Sequence, residues 1–125
     1  MLTSPTRGTA LRCLAFIAAG VFAVALRAEP TDADFLAARA AFLAGDAATL
    51  DRIAPRANGH MLEPYVAYWQ LRLKLDEATP ERVRSFLERN DGTPLADTLR
   101  GEWLKALGKR ALWSEFAAEY PKRNG

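Results

Sequence analysis

The sequence contains one cysteine, one histidine and few β-branched residues, and each shortage excludes a class of protein. Cys13 lies in an N-terminal stretch that we expect to be removed, which leaves no disulfide and no thiolate chemistry. His60 stands alone in a glycine-containing turn, so a metal site there would need carboxylates around one imidazole. No stretch alternates apolar and polar residues for long, so the sequence predicts no strand.

The net charge is close to zero once the N-terminal arginines are set aside. The chain has 17 basic and 15 acidic residues, a formal net charge of +2. Arg7, Arg12 and Arg27 all precede the first acidic residue, Glu29, and without them 14 basic residues face 15 acidic ones. The remaining charges are interspersed, as on a solvated helical surface. The composition therefore gives no indication of a nucleic-acid partner or of binding to an anionic membrane.

Residues 1–28 have the pattern of a secretory signal peptide. Arg7 and Arg12 form a basic start, and Cys13–Leu26 is a run of 14 uncharged residues, shorter than the roughly 20 needed to span a bilayer. Ala28 is a small residue at the expected cleavage point, and Cys13 lies too early in the run for lipid attachment. We expect a periplasmic chain of residues 29–125 with no stable membrane insertion, an uncleaved anchor being the alternative.

The stretch from Thr93 to Pro121 predicts two helices folded against each other. Thr93 is a good N-cap, and proline follows it at the first helical position. The apolar residues of the first helix recur every four positions: Leu95, Leu99, Trp103 and Leu107. The stripe of the second helix comprises Leu112, Trp113, Phe116, Ala117 and Tyr120. We expect Gly108 to close the first helix in a left-handed conformation, and both tryptophans to be buried.

Four more helices are predicted before this pair. The first begins at Thr31, which is followed three residues later by an acid in a capping-box pattern, and Gly45 ends it. Asp46 caps the second, whose inner side carries Leu50 and Ile53. The third begins near Leu62 and is apolar almost all round, which predicts a helix buried between neighbours. A sugar-binding platform is the alternative for its aromatic residues.

The fourth helix begins at Thr79 and Pro80 and carries an amphipathic pattern. Its apolar stripe comprises Val83, Phe86 and Leu87, and its outward charges are Arg82, Arg84, Glu88 and Arg89. The six helices form three predicted hairpins with turns near Gly45, Ala78 and Gly108, at intervals of 33 and 30 residues. Such spacing favours an all-α fold, a short α-solenoid of three antiparallel hairpins. The last hairpin has no polar cap, so we expect the sequence to be the beginning of a longer protein.

The search for catalytic residues is mostly negative. Ser85 and Ser114 have no plausible base, and no phosphate-binding glycine loop is present. Glu102 and Glu115 adjoin aromatic residues, but each falls off its apolar stripe and is predicted to be solvated.

Arg72 and Arg100 adjoin apolar stripes, which favours ion pairs between helices; a ligand-binding role is the alternative. The sequence thus predicts no catalytic, cofactor-binding or metal-ligating residue and no cofactor.

Several spaced motifs resemble the N-terminal superhelical domain of soluble lytic murein transglycosylases. They are Pro64, Tyr65 and Tyr68 on the third helix, Phe86 and Leu87 on the fourth, Thr93 to Ala96, then Leu99, Arg100, Trp103 and Leu104, and finally Trp113, Phe116 and Tyr120. The resemblance extends from about Phe35 to Pro121, nearly all of the mature chain. It implies a superhelix of paired helices that curls into a ring.

In that family a C-terminal lysozyme-like domain cleaves glycan strands of peptidoglycan without water, through a glutamate followed by serine. This sequence contains no Glu-Ser dipeptide, so no catalytic residue carries over. The resemblance implies contact with peptidoglycan through a domain absent from this chain. Separately, the uncapped last hairpin leaves an apolar face open, so we expect the isolated chain to be weakly cooperative or to self-associate through that end.

Three hypotheses follow from the sequence, and they predict different behaviour. The first is a noncatalytic N-terminal scaffold segment of a lytic transglycosylase. The second is a free-standing periplasmic helical-repeat module that binds a protein or a glycan. The third is a small enzyme that uses Glu102 or Glu115. We rank them in this order.

Overall fold

The computed structural model describes residues 29–124, so the predicted signal peptide and its cleavage after Ala28 lie outside the described residues. Within this range the chain is all-helical, as predicted, without strands. The helices are α1 (Asp32–Leu43), α2 (Ala47–Ile53), α3 (Glu63–Leu73), α4 (Pro80–Arg89), α5 (Pro94–Lys109) and α6 (Trp113–Glu119). Two 3₁₀ segments, Ala54–Ala57 and Tyr120–Asn124, follow α2 and α6.

Side-chain caps fix where four of the helices begin. At α1 the amide of Asp34 donates to the Thr31 hydroxyl at 3.2 Å, and the Thr31 amide donates back to the Asp34 carboxylate at 3.1 Å. Asp46 accepts the amide three residues on, at 3.0 Å, and so begins α2. Thr79 and Thr93 cap α4 and α5, each with proline next. These bonds satisfy amides that have no partner inside the helix, as the sequence predicted.

The buried residues form two clusters that share α3. The first joins α1, α2 and the first 3₁₀ segment to α3: Ala38, Ala41, Leu50, Ala54, Ala57, Val66 and Trp69. The second joins α3 to α4 and α5: Leu71, Leu75, Ala78, Val83, Phe86, Leu87, Ala96, Leu99, Trp103, Ala106 and Leu107. Tyr68 packs against both clusters. The prediction that the third helix is central is therefore confirmed.

The two tryptophans of the last pair of helices differ in burial. Trp103 is fully buried, whereas Trp113 is 62% exposed, so the prediction that both pack is wrong for Trp113. Half-buried Leu112 and Phe116 and fully enclosed Glu119 form the inner side of α6 instead. Leu112, Phe116 and Glu119 are four and three residues apart, so they lie on one face of the helix. This face is rotated from the predicted stripe by about one residue. The inner side of α6 therefore includes one acidic side chain, Glu119.

The turn between α5 and α6 is closed by alanine, and the prediction for Gly108 is wrong. Gly108 lies inside α5, while Ala111 has the positive φ of 54°. The Leu112 amide donates to the Leu107 carbonyl at 3.0 Å, and the Ala111 amide donates to the Gly108 carbonyl at 3.1 Å. This bonding pattern is a Schellman motif, which needs a left-handed residue at the position that Ala111 occupies. Gly45, with φ of 69°, has the same place after α1.

Arg84 is an exception among the charges that were predicted to face outward from α4. Its side chain is 35% exposed and forms an ion pair with Glu115 on α6. The guanidinium carbon also lies 5.8 Å from the centre of the Trp103 ring, within the range of a cation–π contact. Arg84 therefore links α4 to both helices of the last pair.

Exchanging residues in the α5–α6 turn tests which position is left-handed. Ala111→Gly should raise the free energy of unfolding by about 0.5–1 kcal/mol, because glycine removes the Cβ crowding of a positive φ. Gly108→Ala should also stabilise, by about 0.5–1 kcal/mol, because alanine is the better residue inside a helix. No atom lies within 4 Å of the Cβ that this change adds. Urea unfolding measures both, and a loss of stability in Gly108→Ala would place the turn at Gly108 instead.

The cap of α2 predicts a pH dependence of stability. Hydrogen bonds from the side chain and then the backbone of Thr49 lower the pKa of Asp46 below its usual 3.8. The folded state thus holds this proton less tightly than the unfolded state, so the stabilisation is present above the usual pKa and is lost as pH falls through the lower folded value. Asp46→Asn keeps a capping oxygen but cannot titrate.

Urea unfolding between about pH 5 and pH 3 should therefore show a smaller loss of stability in Asp46→Asn than in the wild type. Asp76→Asn, in the exposed turn after α3, is the control and should keep the wild-type slope. Equal slopes for Asp46→Asn and the wild type would contradict the role of the cap.

Candidate functional site

A buried ion pair between α5 and α6 is the most enclosed pair of charges in the described range. The Arg100 Nε donates to Glu119 Oε1 at 2.9 Å, and the two side chains are 8% and 2% exposed. Asp97 lies 3.4 Å from the Arg100 Nη1, and the Lys122 Nζ donates to Glu119 Oε2 at 3.2 Å. Arg100 thus has two acidic partners, and Glu119 has two basic partners. This pairing matters because an unpaired charge in this position would be strongly destabilising.

A cleft of about 290 Å³ opens beside this ion pair, between α4 and the last two helices. Its lining comprises Arg84, Leu87, Glu88, Asp91, Arg100, Glu119 and Lys122. The three basic side chains are matched by three acidic ones. The cleft therefore has no net charge that would select an anionic or a cationic ligand.

A second concave surface runs along α3 and α4. It contains a hollow of about 420 Å³ lined by His60, Met61, Glu63, Pro64, Ala67, Phe86, Arg89 and Asn90. A neighbouring hollow of about 330 Å³ shares Ala67, Phe86 and Arg89 and adds Gln70 and Ser85. Charged and polar side chains thus surround both hollows, with Pro64 and Ala67 among their apolar lining residues.

His60 joins the start of α1 to the start of α3. Its Nε2 lies 3.0 Å from Asp32 Oδ1, and its Nδ1 accepts the Leu62 amide at 3.0 Å. Because Nδ1 is an acceptor, the proton of the neutral ring resides on Nε2 and is donated to Asp32. The ring stacks on Phe35 with centroids 5.7 Å apart. Among residues 29–124 no group of three or more histidine, cysteine, aspartate or glutamate side chains could hold a metal ion.

The two glutamates weighed as catalytic acids are both held by arginine. Glu102 lies 3.4 Å from the Arg72 Nη2 across α3 and α5, and Glu115 is paired with Arg84. Their side chains are 27% and 34% exposed, so neither lies in the enclosed apolar surroundings that a general acid requires. Ser85 and Ser114 are exposed on different helices. The ion pairs between helices predicted for Arg72 and Arg100 are confirmed.

Sequence reasoning missed Glu119, although one signal pointed to it. Arg100 follows Ala96 by four residues and precedes Trp103 by three, so it lies on the buried face of α5, and it is itself buried. A buried arginine needs an acid from a neighbouring helix. Glu119, one turn beyond Glu115, is the residue of α6 that meets this need.

Comparison with known proteins gives no relative for this chain. No family model matches it. No curated protein and no solved structure matches it either. The resemblance to lytic transglycosylases therefore rests on the sequence motifs alone. None of the helices in residues 29–124 combines the length and the apolar character needed to cross a membrane.

Removing either member of the buried ion pair should lower the free energy of unfolding far more than removing a member of an exposed ion pair. Arg100→Met or Glu119→Leu should lower the free energy of unfolding by about 3–5 kcal/mol, because a buried charge loses its partner. The double variant should recover most of this loss, since neither buried charge remains and Asp97 and Lys122 are solvated. Arg72→Ala is the matched control, because the Arg72 side chain is 42% exposed. It should lower the free energy of unfolding by at most about 1 kcal/mol.

Thermal and urea unfolding of the four variants measures the difference. Equal losses for Arg72→Ala and Arg100→Met would contradict the assignment of the α5–α6 ion pair as the dominant charge interaction. A double variant as unstable as the single ones would show that shape, rather than charge, is the source of the loss.

Proposed function

We propose that this chain is the noncatalytic N-terminal scaffold segment of a periplasmic peptidoglycan lytic transglycosylase. The observation that carries the proposal is where the shared motifs lie. Phe86, Leu99 and Trp103 are fully buried, and Leu87 and Leu104 are 3% exposed. These five residues of the resemblance pack helices together, which supports a structural role for the segment. Cell-wall turnover would belong to a lysozyme-like domain outside this sequence.

The arrangement of helices supports a solenoid of three hairpins as the form of this scaffold. α1 packs on α2, and α5 packs on α6. α3 contacts α1 on one side and α5 on the other, and it also contacts α4. A chain in which each pair touches mainly its neighbours is typical of helical-repeat proteins. The α3–α4 pair would be the middle hairpin.

The exposed aromatic face of α6 supports a continuation of the stack. Trp113 and Tyr120 are 62% and 51% exposed, and both belong to the motif shared with the family. Phe116 lies between them, with its ring centroid 6.0 Å from Trp113 and 5.6 Å from Tyr120. A further hairpin packed on this face would bury the two rings, as terminal repeats of a solenoid require.

A free-standing module that binds a protein or a glycan is the second candidate. The hollows along α3 and α4, which are lined by Gln70, Ser85 and Arg89, favour it. Polar side chains along an open hollow suit a glycan or a peptide strand equally. In this reading the chain would need no catalytic domain.

The intact mass of the native product separates these candidates. An antibody against residues 29–125 should capture, from the periplasmic fraction, a protein several times larger than the 13.8 kDa of this chain. That product should solubilise murein, and Glu102→Gln and Glu115→Gln should leave the activity unchanged, because both carboxylates are held by arginines. A product just below 13.8 kDa would contradict the scaffold proposal and support the free-standing module.

A further inference from the structure

Two arginines of α4 line the hollow of about 330 Å³ beside α3. Arg82 and Arg89 are both exposed, and among residues 29–124 no carboxylate oxygen lies within 4 Å of either guanidinium. Arg84, which lies between them in the sequence, is by contrast paired with Glu115. The guanidinium groups at the hollow are therefore available to a ligand.

The polar groups between the two arginines are held in place. Ser85 follows Arg82 by three residues and precedes Arg89 by four, so the three lie along one side of α4. The Arg89 Nε donates to the Ser85 carbonyl at 3.2 Å, which anchors that guanidinium over the preceding turn. On the α3 side, the Gln70 amide donates to Asp51 at 2.9 Å. Groups that are anchored before a ligand arrives lose less conformational entropy when it binds.

The lining of this hollow has an excess of positive charge, unlike the balanced cleft beside Arg100. Two arginines face one acid, Glu81, among the lining residues. Asp51, which contacts Gln70, already forms an ion pair with Lys74. A guanidinium binds a carboxylate through two parallel hydrogen bonds, so the lining favours a ligand that carries carboxylates. A neutral glycan would leave both arginines without a charged partner.

The hollow continues into its neighbour, so the surface open to a ligand is long. The two share Ala67 and Arg89, and the neighbouring hollow, of about 420 Å³, extends to His60 and Asn90. Arg82 and Arg89 are seven residues apart, which is about 10.5 Å along the helix axis. In an extended peptide, acids at alternate positions lie on one side, about 7 Å apart. Two such acids come within reach of the two arginine side chains, whereas a small anion would occupy one of them.

We propose that the α3–α4 groove, the two joined hollows from Arg82 to His60, binds an extended acidic peptide. One carboxylate of the peptide pairs with Arg82 and another with Arg89. This binding goes beyond the scaffold function and does not depend on it, because every lining residue belongs to the described part of this chain. Ion pairs at an exposed site are weak, so the dissociation constant should be on the order of 0.1 mM.

Fluorescence anisotropy with dye-labelled synthetic peptides tests the proposal. The probe has capped ends and about eight residues, in which glutamate alternates with glycine so that all acids lie on one side of the extended chain. A matched peptide carries glutamine in place of glutamate. The glutamate peptide should bind the full-length chain, and the glutamine peptide should bind at least about tenfold more weakly.

Matched arginine variants locate the binding in the groove. Arg82→Gln and Arg89→Gln should each weaken binding of the glutamate peptide about fivefold or more, because each removes the partner of one carboxylate. Arg39→Gln is the control, because Arg39 is exposed on α1, outside both hollows, and the change removes the same charge. It should bind like the wild type.

Ser85→Asp is a further variant, which places an acid between the two arginines and should remove detectable binding of the glutamate peptide. Circular dichroism checks that all of these variants keep the helical fold.

Four results would overturn the proposal. Absence of binding at about 1 mM glutamate peptide would exclude the site. Equal binding of the glutamate and glutamine peptides would assign the groove to a neutral ligand. Equal losses in Arg39→Gln and Arg82→Gln would attribute binding to net charge. Free glutarate that competes as strongly as the peptide would limit the site to a small anion. None of these results changes the mass expected of the native product, so the scaffold function is tested separately.

Discussion

The structure depends on α3 being apolar on two sides, because neither cluster of buried residues can close without it. Trp69 shows how the first side works: its ring lies 5.2 Å from Phe35 and 5.4 Å from Phe42, both on α1. Leu71, two residues on, belongs to the other cluster. A single helix of 11 residues thus supplies the common wall of two cores, each too small to stand alone.

Local signals predicted the starts of the helices well, because a cap involves residues three positions apart. Thr31, Asp46, Thr79 and Thr93 all cap as their patterns indicate. The orientation of α6 was not predictable in this way. The predicted stripe contained Leu112 and Phe116, which pack against the core, but also the exposed Trp113 and Tyr120. It missed Glu119, which pairs with Arg100, 19 residues away in the sequence. A charge pair between residues distant in the sequence therefore shares the inner side of α6 with apolar residues.

In the candidate site, too, features set by nearby residues could be predicted from the sequence, whereas partners distant in the sequence could not. That Arg72 and Arg100 pair with acids followed from their places beside apolar stripes, and the partners came from other helices. Glu102 and Glu115 have two of the features of catalytic acids, a neighbouring aromatic residue and partial burial. Their arginine partners, visible only in three dimensions, give them a structural role. The proposal of a scaffold rather than an enzyme thus depends on packing, which sequence spacing alone does not determine.

The sharing of α3 between two clusters has a consequence for local opening of the fold. Detaching α1 and α2 disrupts one cluster, and detaching α5 and α6 disrupts the other, but α3 keeps one covered side in either event. Its amides can exchange with solvent freely only when both clusters are lost, that is, in global unfolding. The two ends of the chain can open separately, so the molecule has a stable centre and two less protected flanks.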